Sequence, residues 1–398
     1  MPESIVQTKN KVLNRNVVTL GLVSFLSDLS SEMLYPITPL FLTSVLGASM
    51  TNVGFIEGLA EGISSLLKTF SGRWSDRIQK RKPFVIAGYL LATLAKPLTG
   101  AAASWTEVLI ARGSDRVGKG LRTAPRDALL AEAVAPELRG AAFGWHRLMD
   151  TMGAALGPLL AIWFLSESPE SLRTIYYWAV IPGLLSVAVI FAVREKPVHD
   201  IQSNQTQQKW VWGDLTGDFK MYLFAWTVFS VANSSDVFLL MKAKQMGINF
   251  THVIALYCFY NLVYALASPS LGGLSDRLGR KHLLIFGLGV FSFVYFGFTY
   301  ASELWHFVAL FGTYGLYMAA TDGVGKALAV DLVDSRQKAT GLGILGTFTG
   351  LATIISSTVA GLLWDRWGSE WTFYYGVAGG LASAAILSFV RERQPSSR

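Results

Sequence analysis

Four stretches, 174–193, 283–302, 339–364 and 371–390, contain no charged residue and are largely apolar. Each holds the roughly 20 residues a helix needs to cross the hydrocarbon of a bilayer. Eight further apolar runs carry scattered ionisable residues, at 17–46, 52–75, 84–104, 105–131, 140–165, 219–245, 252–275 and 303–332. Together these predict an all-α membrane protein with twelve transmembrane helices.

Composition supports that reading. The 398 residues are 52% hydrophobic and 15% charged, against about 25% charged in an ordinary soluble protein, which argues against a water-soluble enzyme. Twelve spans of about 20 residues use about 240 and leave little room for a soluble domain. The net charge of +7 does not point to nucleic acid, because the bases sit in short clusters between apolar runs rather than along one polar face. The bilayer is the expected surroundings.

The basic clusters set an orientation. Arg77, Lys80, Arg81 and Lys82 follow the second span, Arg194 and Lys196 the sixth, and Arg277, Arg280 and Lys281 the eighth, whereas 47–51, 104–107 and 301–305 hold no Lys or Arg. Positive loops stay in the cytoplasm, so both termini are expected there, in a bacterial plasma (inner) membrane. Lys9, Lys11 and Arg15 precede an apolar run in the manner of a signal peptide. That run continues to about residue 46 with no convincing cleavage site, so it reads as a retained first span. The polar stretch 199–209 separates two six-span halves, with expected domains 1–195 and 219–398 and a cytoplasmic linker 196–218. Asn204-Gln205-Thr206 matches a glycosylation sequon, which has no use on the cytoplasmic side.

The halves are related. Gly47/Gly247, Thr51/Thr251, Val53/Val253, Gly72/Gly272, Ser75/Ser275, Asp76/Asp276 and Arg77/Arg277 share one constant offset. Asp115-Arg-Val-Gly-Lys119 echoes Asp322-Gly-Val-Gly-Lys326 about seven residues further out of step. A parallel duplication of this kind suits a transporter of two six-helix halves, with its site near the midplane between them.

On these residues the chain resembles the major facilitator superfamily over nearly its whole length. The superfamily's loop motif, Gly-x-Leu-x-Asp-Arg-x-Gly-Arg-Lys, is matched by Gly272, Leu274, Asp276, Arg277, Gly279, Arg280 and Lys281. The first-half copy keeps Gly72, Asp76 and Arg77 but has Trp74 for Leu and Gln79 for Gly. Gly153-Ala-Ala-Leu-Gly157-Pro158 resembles the Gly-x-x-x-Gly-Pro motif of the superfamily's exporters, without the two glycines expected after it. The resemblance implies twelve helices in two pseudo-symmetric six-helix bundles. It also implies that Asp76, Arg77, Asp276 and Arg277 latch the cytoplasmic side shut in the outward-open form. Physically, a carboxylate at a helix end can accept hydrogen bonds from a neighbouring helix N-terminus or pair with Arg. Plain positive-inside anchoring explains Lys80–Lys82 but not two acids at matched positions.

Charges inside the spans carry the candidate chemistry, since each costs about 2.5–3.5 kcal/mol at the bilayer centre on insertion scales. Asp28 and Glu32 lie four apart on one helical face, near Ser24, Ser31 and Tyr35, and Glu57 and Glu61 repeat the spacing. Arg116, Lys119, Arg122 and Arg126 form a stripe about 120° wide at 100° per residue, which must face protein or water. The fifth span adds His146, Arg147 and Asp150; the second half offers Asp236, and Asp322 with Lys326. A carboxylate in low dielectric beside shifting positive partners can hold a proton near neutral pH, as a proton carrier must. Asp28, Glu32, Asp150 and Glu61 are the coupling candidates, set against a static ion-pair network such as Asp28 or Asp150 with Arg116. Arg116, Tyr35, His146 and Asp236 are the substrate-binding candidates. Arg122 and Arg126, flanking Pro125, are gate candidates, and Gly153, Gly157 and Pro158 a packing or hinge element. Tyr35, Trp145, Tyr257 and Tyr260 could line a cavity or simply pack.

Enzyme chemistry finds little support. Gly113–Lys119 imitates a phosphate loop, but Gly120 stands where a magnesium-binding Ser or Thr belongs and no strand precedes it. Ser65 and Lys68 have an acyl-enzyme spacing without its companion motifs. Cys258 is the single cysteine, so no intrachain disulfide or thiolate-rich metal site can form, and the five histidines make no ligand pattern. No metal or cofactor is expected. The reading is a secondary active transporter of a small molecule or ion, driven by protons and directed outward. Proton-linked uptake or facilitated movement of an anionic metabolite held by Arg116 stays open. So do a metal-ion exporter using Asp28 and Glu32 and a non-transporting membrane scaffold.

Overall fold

The computed structural model describes residues 13–78, 80–135, 138–165, 169–195, 215–333 and 338–391, and the regular structure among them is helical. Most of the expected linker, with its sequon, and the bases Lys9 and Lys11 lie outside the described residues. The helices are α1 (Arg15–Glu32), α2 (Ile37–Ser44), α3 (Met50–Ile78), α4 (Lys82–Ala101), α5 (Trp105–Glu132), α6 (Arg139–Phe164) and α7 (Pro169–Ile190). They continue with α8 (Gly217–Ala232), α9 (Val237–Gln245), α10 (Phe250–Leu278), α11 (Arg280–Tyr300), α12 (Leu304–Asp331), α13 (Lys338–Trp367) and α14 (Ser369–Ser388). The pairs α1/α2 and α8/α9 are single spans broken in the middle, which makes twelve transmembrane segments. Among the described residues, seven segments are long and apolar enough to cross a membrane by length and composition alone. The others are diluted by charge, as in α3, α5 and α6, or by Gly, Ser and Tyr, as in α14.

The two breaks occupy corresponding places, 33–36 and 233–236. The first contains Pro36, which has no N–H to donate and disfavours helix before it. The second has no proline. There Asn233 ends α8 in an extended conformation, its carbonyl accepts from Ser356 Oγ at 3.0 Å, and the Ser235 N–H donates to Ser357 Oγ at 3.3 Å. Irregular backbone at membrane depth survives only where protein satisfies it. The adjacent serines of α13 do so here.

The chain divides into two compact units, one of residues 1–48 and 63–201, the other of 49–62 and 202–398. In the first, α6 packs on α1, α1 on α7, α7 on α4, and α4 on α5. In the second the order is α13 on α8, α8 on α14, α14 on α11, α11 on α12, and α12 on α10. Over the five helices α1/α2, α4, α5, α6 and α7 and their counterparts α8/α9, α11, α12, α13 and α14, the packing order is the same. Large apolar side chains stand on the outside, among them Trp163 at 83% exposure and Phe389 at 74%, an exterior suited to lipid and poorly suited to water.

The bases of the loop motif have a structural use beyond topology. Lys82 Nζ donates to the carbonyls of Phe191 (2.8 Å) and Val193 (2.7 Å) past the end of α7. Lys281 Nζ does the same to Ser388 (3.0 Å) and Val390 (2.9 Å) at the end of α14. Each closes the unsatisfied C-terminal carbonyls of its half's last helix and lies at the negative end of that helix dipole. Alongside, Arg81 pairs with Glu132 and Arg280 with Asp331. Gly279 has φ +91° between α10 and α11, a left-handed turn that a side chain would strain, which accounts for the glycine in the motif.

Candidate functional site

In the first unit the four bases Lys96, Arg112, Arg116 and Arg122 are all buried. Asp115 lies 3.7 Å from both Arg112 and Arg116. Lys96 Nζ donates to Ser30 Oγ and, at 3.4 Å, to Ser31 Oγ. A narrow cleft opens there, with Ser31, Lys96, Thr99, Arg112, Asp115 and Tyr176 in its wall. Arg122 lays its guanidinium over the Tyr89 ring, 4.3 Å from the centroid, a cation–π contact. Among the described residues its Nε and one terminal nitrogen have no hydrogen-bond acceptor. Lower in the same stripe, Arg126 grips Asp127 through two nitrogens at 3.0 and 2.9 Å and donates to Ser24 Oγ at 3.1 Å.

Asp28 shares its electrostatic surroundings with Asp150, Arg122, Glu32 and Lys119. Asp150 also stands 3.6 Å from the buried His146 Nδ1. The reason α6 comes so near is compositional. A Cβ added at Gly153 would lie 2.5 Å from the Phe25 carbonyl, and one at Gly157 2.8 Å from the Leu29 carbonyl. Those glycines let α6 lie against the backbone of α1 directly beside Asp28 and Glu32, whose Cβ atoms border the same two positions.

The structure therefore brings Asp28, Glu32, Asp150, His146, Arg122, Gly153 and Gly157 together. Arg116 takes Asp115 as its ion partner rather than Asp28 or Asp150. Tyr35 sits half-buried in the first break. Glu61 belongs to 49–62, the stretch grouped with the second unit. Arg77 and Arg277 are exposed at the ends of α3 and α10, and the side chains of Asp76 and Asp276 lie outside what is described.

The second unit is built differently. Asp236, in the break before α9, accepts the Tyr314 hydroxyl on one oxygen and the Tyr260 hydroxyl on the other, both at 2.6 Å. Tyr260 and Tyr314 meet edge to face at 5.4 Å, Tyr314 meets Tyr317 at 5.2 Å, and Tyr317 meets Phe291 at 5.0 Å. Further off, Asp322 takes both Lys326 (2.7 Å) and the Tyr264 hydroxyl (2.8 Å).

Sequence reasoning missed four groups. Lys96 is a single base inside an apolar run and Lys242, with Lys244 two residues on, closes another, a signal available by inspection; Lys242, 2% exposed, donates to Ser369 at 2.9 Å and Glu370 at 3.0 Å. Tyr314 carries no sequence mark. Asp365 does: Gly361, Leu363, Asp365, Arg366 and Gly368 form a third copy of the loop motif at the end of α13, with Gly368 at φ +100°. Its carboxylate accepts from the N–H groups of Met50 (3.0 Å) and Thr51 (2.7 Å) and from Thr51 Oγ1 (2.6 Å). This is the capture of a helix N-terminus that the motif's acid is chemically suited for.

Twelve spans in two like-built units, enclosing ion clusters at membrane depth, define a polytopic transporter. The Major Facilitator Superfamily model matches residues 20–259 and 221–398, and the chain belongs to that superfamily. It is 36% identical over 387 residues to an uncharacterized MFS-type transporter of Methanocaldococcus jannaschii, covering 96% of each chain. It is 22% identical over 344 residues to the multidrug resistance protein MdtH of Photorhabdus laumondii, covering 84% of this chain and 82% of that one. Among solved structures it resembles the nucleoside transporter NupG (TM-score 0.74, 14% identity, 94% of this chain and 98% of that one). It also resembles a D-xylose-proton symporter (TM-score 0.75, 18% identity, 94% and 97%). At such identities the likeness is one of fold.

Proposed function

We propose that this superfamily transporter exports a small solute in exchange for protons, its two six-helix halves rocking to open the site to alternate sides of a bacterial plasma membrane, with both termini cytoplasmic. The observation that carries the coupling is the set Asp28, Glu32 and Asp150, seated beside the glycine face of α6 with Arg122 and Lys119 as positive neighbours. Carboxylates that can exchange a proton for a basic partner as helices shift give a cycle two chemically distinct states. Sliding of α6 along α1 at Gly153 and Gly157 is the motion that would change those partners. The outward direction rests on the Gly153–Pro158 motif and on the relationship to MdtH. Arg116 is held by Asp115, so an anionic solute would have to displace that carboxylate, which favours export over anion uptake. Arg77, Arg277, Arg126 and the matched acids remain the proposed cytoplasmic gate.

The test is an uptake screen in proteoliposomes across cationic drugs, organic anions, sugars and metal ions, with and without an imposed pH gradient. For the solute that moves, Asp28→Asn and Glu32→Gln are expected to abolish gradient-driven accumulation while leaving downhill exchange. Accumulation at wild-type rates in both variants makes those carboxylates structural.

A further inference from the structure

We propose that Asp236, with the tyrosines around it, is a binding site for a protonated organic amine within the C-terminal unit. The inference names a substrate class for the exporter proposed above and rests on that reading for its role in transport.

The argument begins with charge balance. Four other acids of this unit have a countercharge or a helix end: Asp322 has Lys326, Glu370 has Lys242, Asp331 has Arg280, and Asp365 has the first turn of α3. Asp236 has two phenols and, among the described residues, no base. Two more of the unit's bases are engaged elsewhere, Lys281 on the carbonyls ending α14 and Lys244 over the Phe250 ring at 4.1 Å. Phenol hydrogen bonds hold the carboxylate in place but bring no positive charge. Among the described residues nothing supplies its countercharge, which leaves that place to a proton or a ligand cation.

The surroundings favour a ligand cation. Asp236 is only partly buried and opens from the unwound part of the seventh span, whereas Tyr260, Tyr314 and Tyr317 are 3%, 1% and 3% exposed and form fixed walls. Tyrosine rings are electron-rich over their faces and attract ammonium groups. Three residues before Asp236, the Oδ1 of Asn233 is buried with no hydrogen-bond partner among the described residues, while its Nδ2 reaches the Tyr317 hydroxyl at 3.5 Å. A carboxylate, an amide oxygen and aromatic rings make an acceptor-rich group with, among the described residues, no cationic donor for an anion. An ammonium N–H can take the amide oxygen and share the carboxylate, and an apolar body can lie along the aromatic seam.

The probe is ethidium, an organic cation bearing amino groups, binding to the purified full-length protein in detergent and followed by fluorescence polarisation without any gradient. Wild type is expected to bind it and to release it to phenethylammonium but not to phenethyl alcohol. Asp236→Asn should weaken binding at least about tenfold, Tyr260→Phe, which keeps the ring but loses one hydrogen bond to the carboxylate, should weaken it less, and Asp236→Glu, which keeps the charge, least. No binding, equal displacement by the cation and the alcohol, or an unchanged Kd in Asp236→Asn overturns the proposal. So does a loss in Tyr260→Phe as large as that in Asp236→Asn, which would make the network a fold element. If Asp236→Asn fails to fold, the competition pair in wild type and the Asp236→Glu variant still decide. Binding needs no pH gradient, so failure of proton coupling through Asp28 leaves this result standing, and failure here leaves that coupling standing.

Discussion

The two units share one packing order and solve the problem of intramembrane charge in opposite ways. In the first, acids and bases crowd together on α1, α4, α5 and α6, so that Asp115 faces two arginines and Asp28 lies among bases and further acids. In the second, Asp236 stands among hydroxyls and rings. A mutually neutralised network can reshuffle partners at small net cost, which suits a coupling device. A solitary carboxylate invites a visitor of opposite charge. The duplication that copied the helices did not copy the chemistry: at the constant offset between halves, Pro36 corresponds to Asp236 and Asp28 to Val228.

The largest expected effect tests that contrast through stability. Asp115→Asn takes the carboxylate from the buried Arg116 and should cost about 3 kcal/mol, at the low end for breaking a buried pair. Asp236→Asn keeps an acceptor for one phenol and removes no ion pair, so about 1 kcal/mol is expected. The midpoints of thermal unfolding in detergent give the order, and ethidium binding should rank the same two variants the other way round. Adding Arg116→Gln to Asp115→Asn should recover part of the loss, because the second change removes the charge left behind. Equal midpoints for the two single variants would dissolve the distinction between the units.

A smaller effect concerns the surface on which the first network rests. Gly153→Ala and Gly157→Ala put a methyl against the backbone of α1 and should each cost about 1–3 kcal/mol as overpacking, with transport falling further than stability. Gly272→Ala and Gly273→Ala meet nothing within 4 Å and are the controls, expected near wild type in the same melts.

Much of this is legible in the sequence, and what is not has a common cause. The twelve spans, the duplication, the family and the charged residues of α1, α5 and α6 follow from periodicity and motif. The break at 233–236 does not, because no proline marks it and α13's serines, more than a hundred residues away, stabilise it. Asp236 stands out as a charge in a span, but its isolation does not, since that is a property of what surrounds it in space. Lys96 is easily passed over inside an apolar run, and its serine partners sit on another helix. The third motif copy can be read at Asp365 but is hidden by the expectation of one copy per half.

Asp365 supplies the smallest prediction and a third way of holding a charge, by backbone amides rather than by bases or phenols. It is exposed, so solvent screens whatever it contributes, and its worth should be that of an ordinary helix cap. Asp365→Ala is expected to lower stability by about 1 kcal/mol. Asp365→Asn, which keeps one acceptor but not the charge, should lose less. The difference between the two separates hydrogen bonding from the attraction of a carboxylate to the positive end of α3. Salt sharpens the separation, because added sodium chloride should narrow the gap between wild type and Asp365→Asn while leaving that between Asp365→Asn and Asp365→Ala. Neither change should alter ethidium binding, since Asp365 makes no contact with the phenols of Asp236. An effect there as large as that of Asp236→Asn would mean that the cap and the amine site act as one element, and that the second unit carries its own coupling after all.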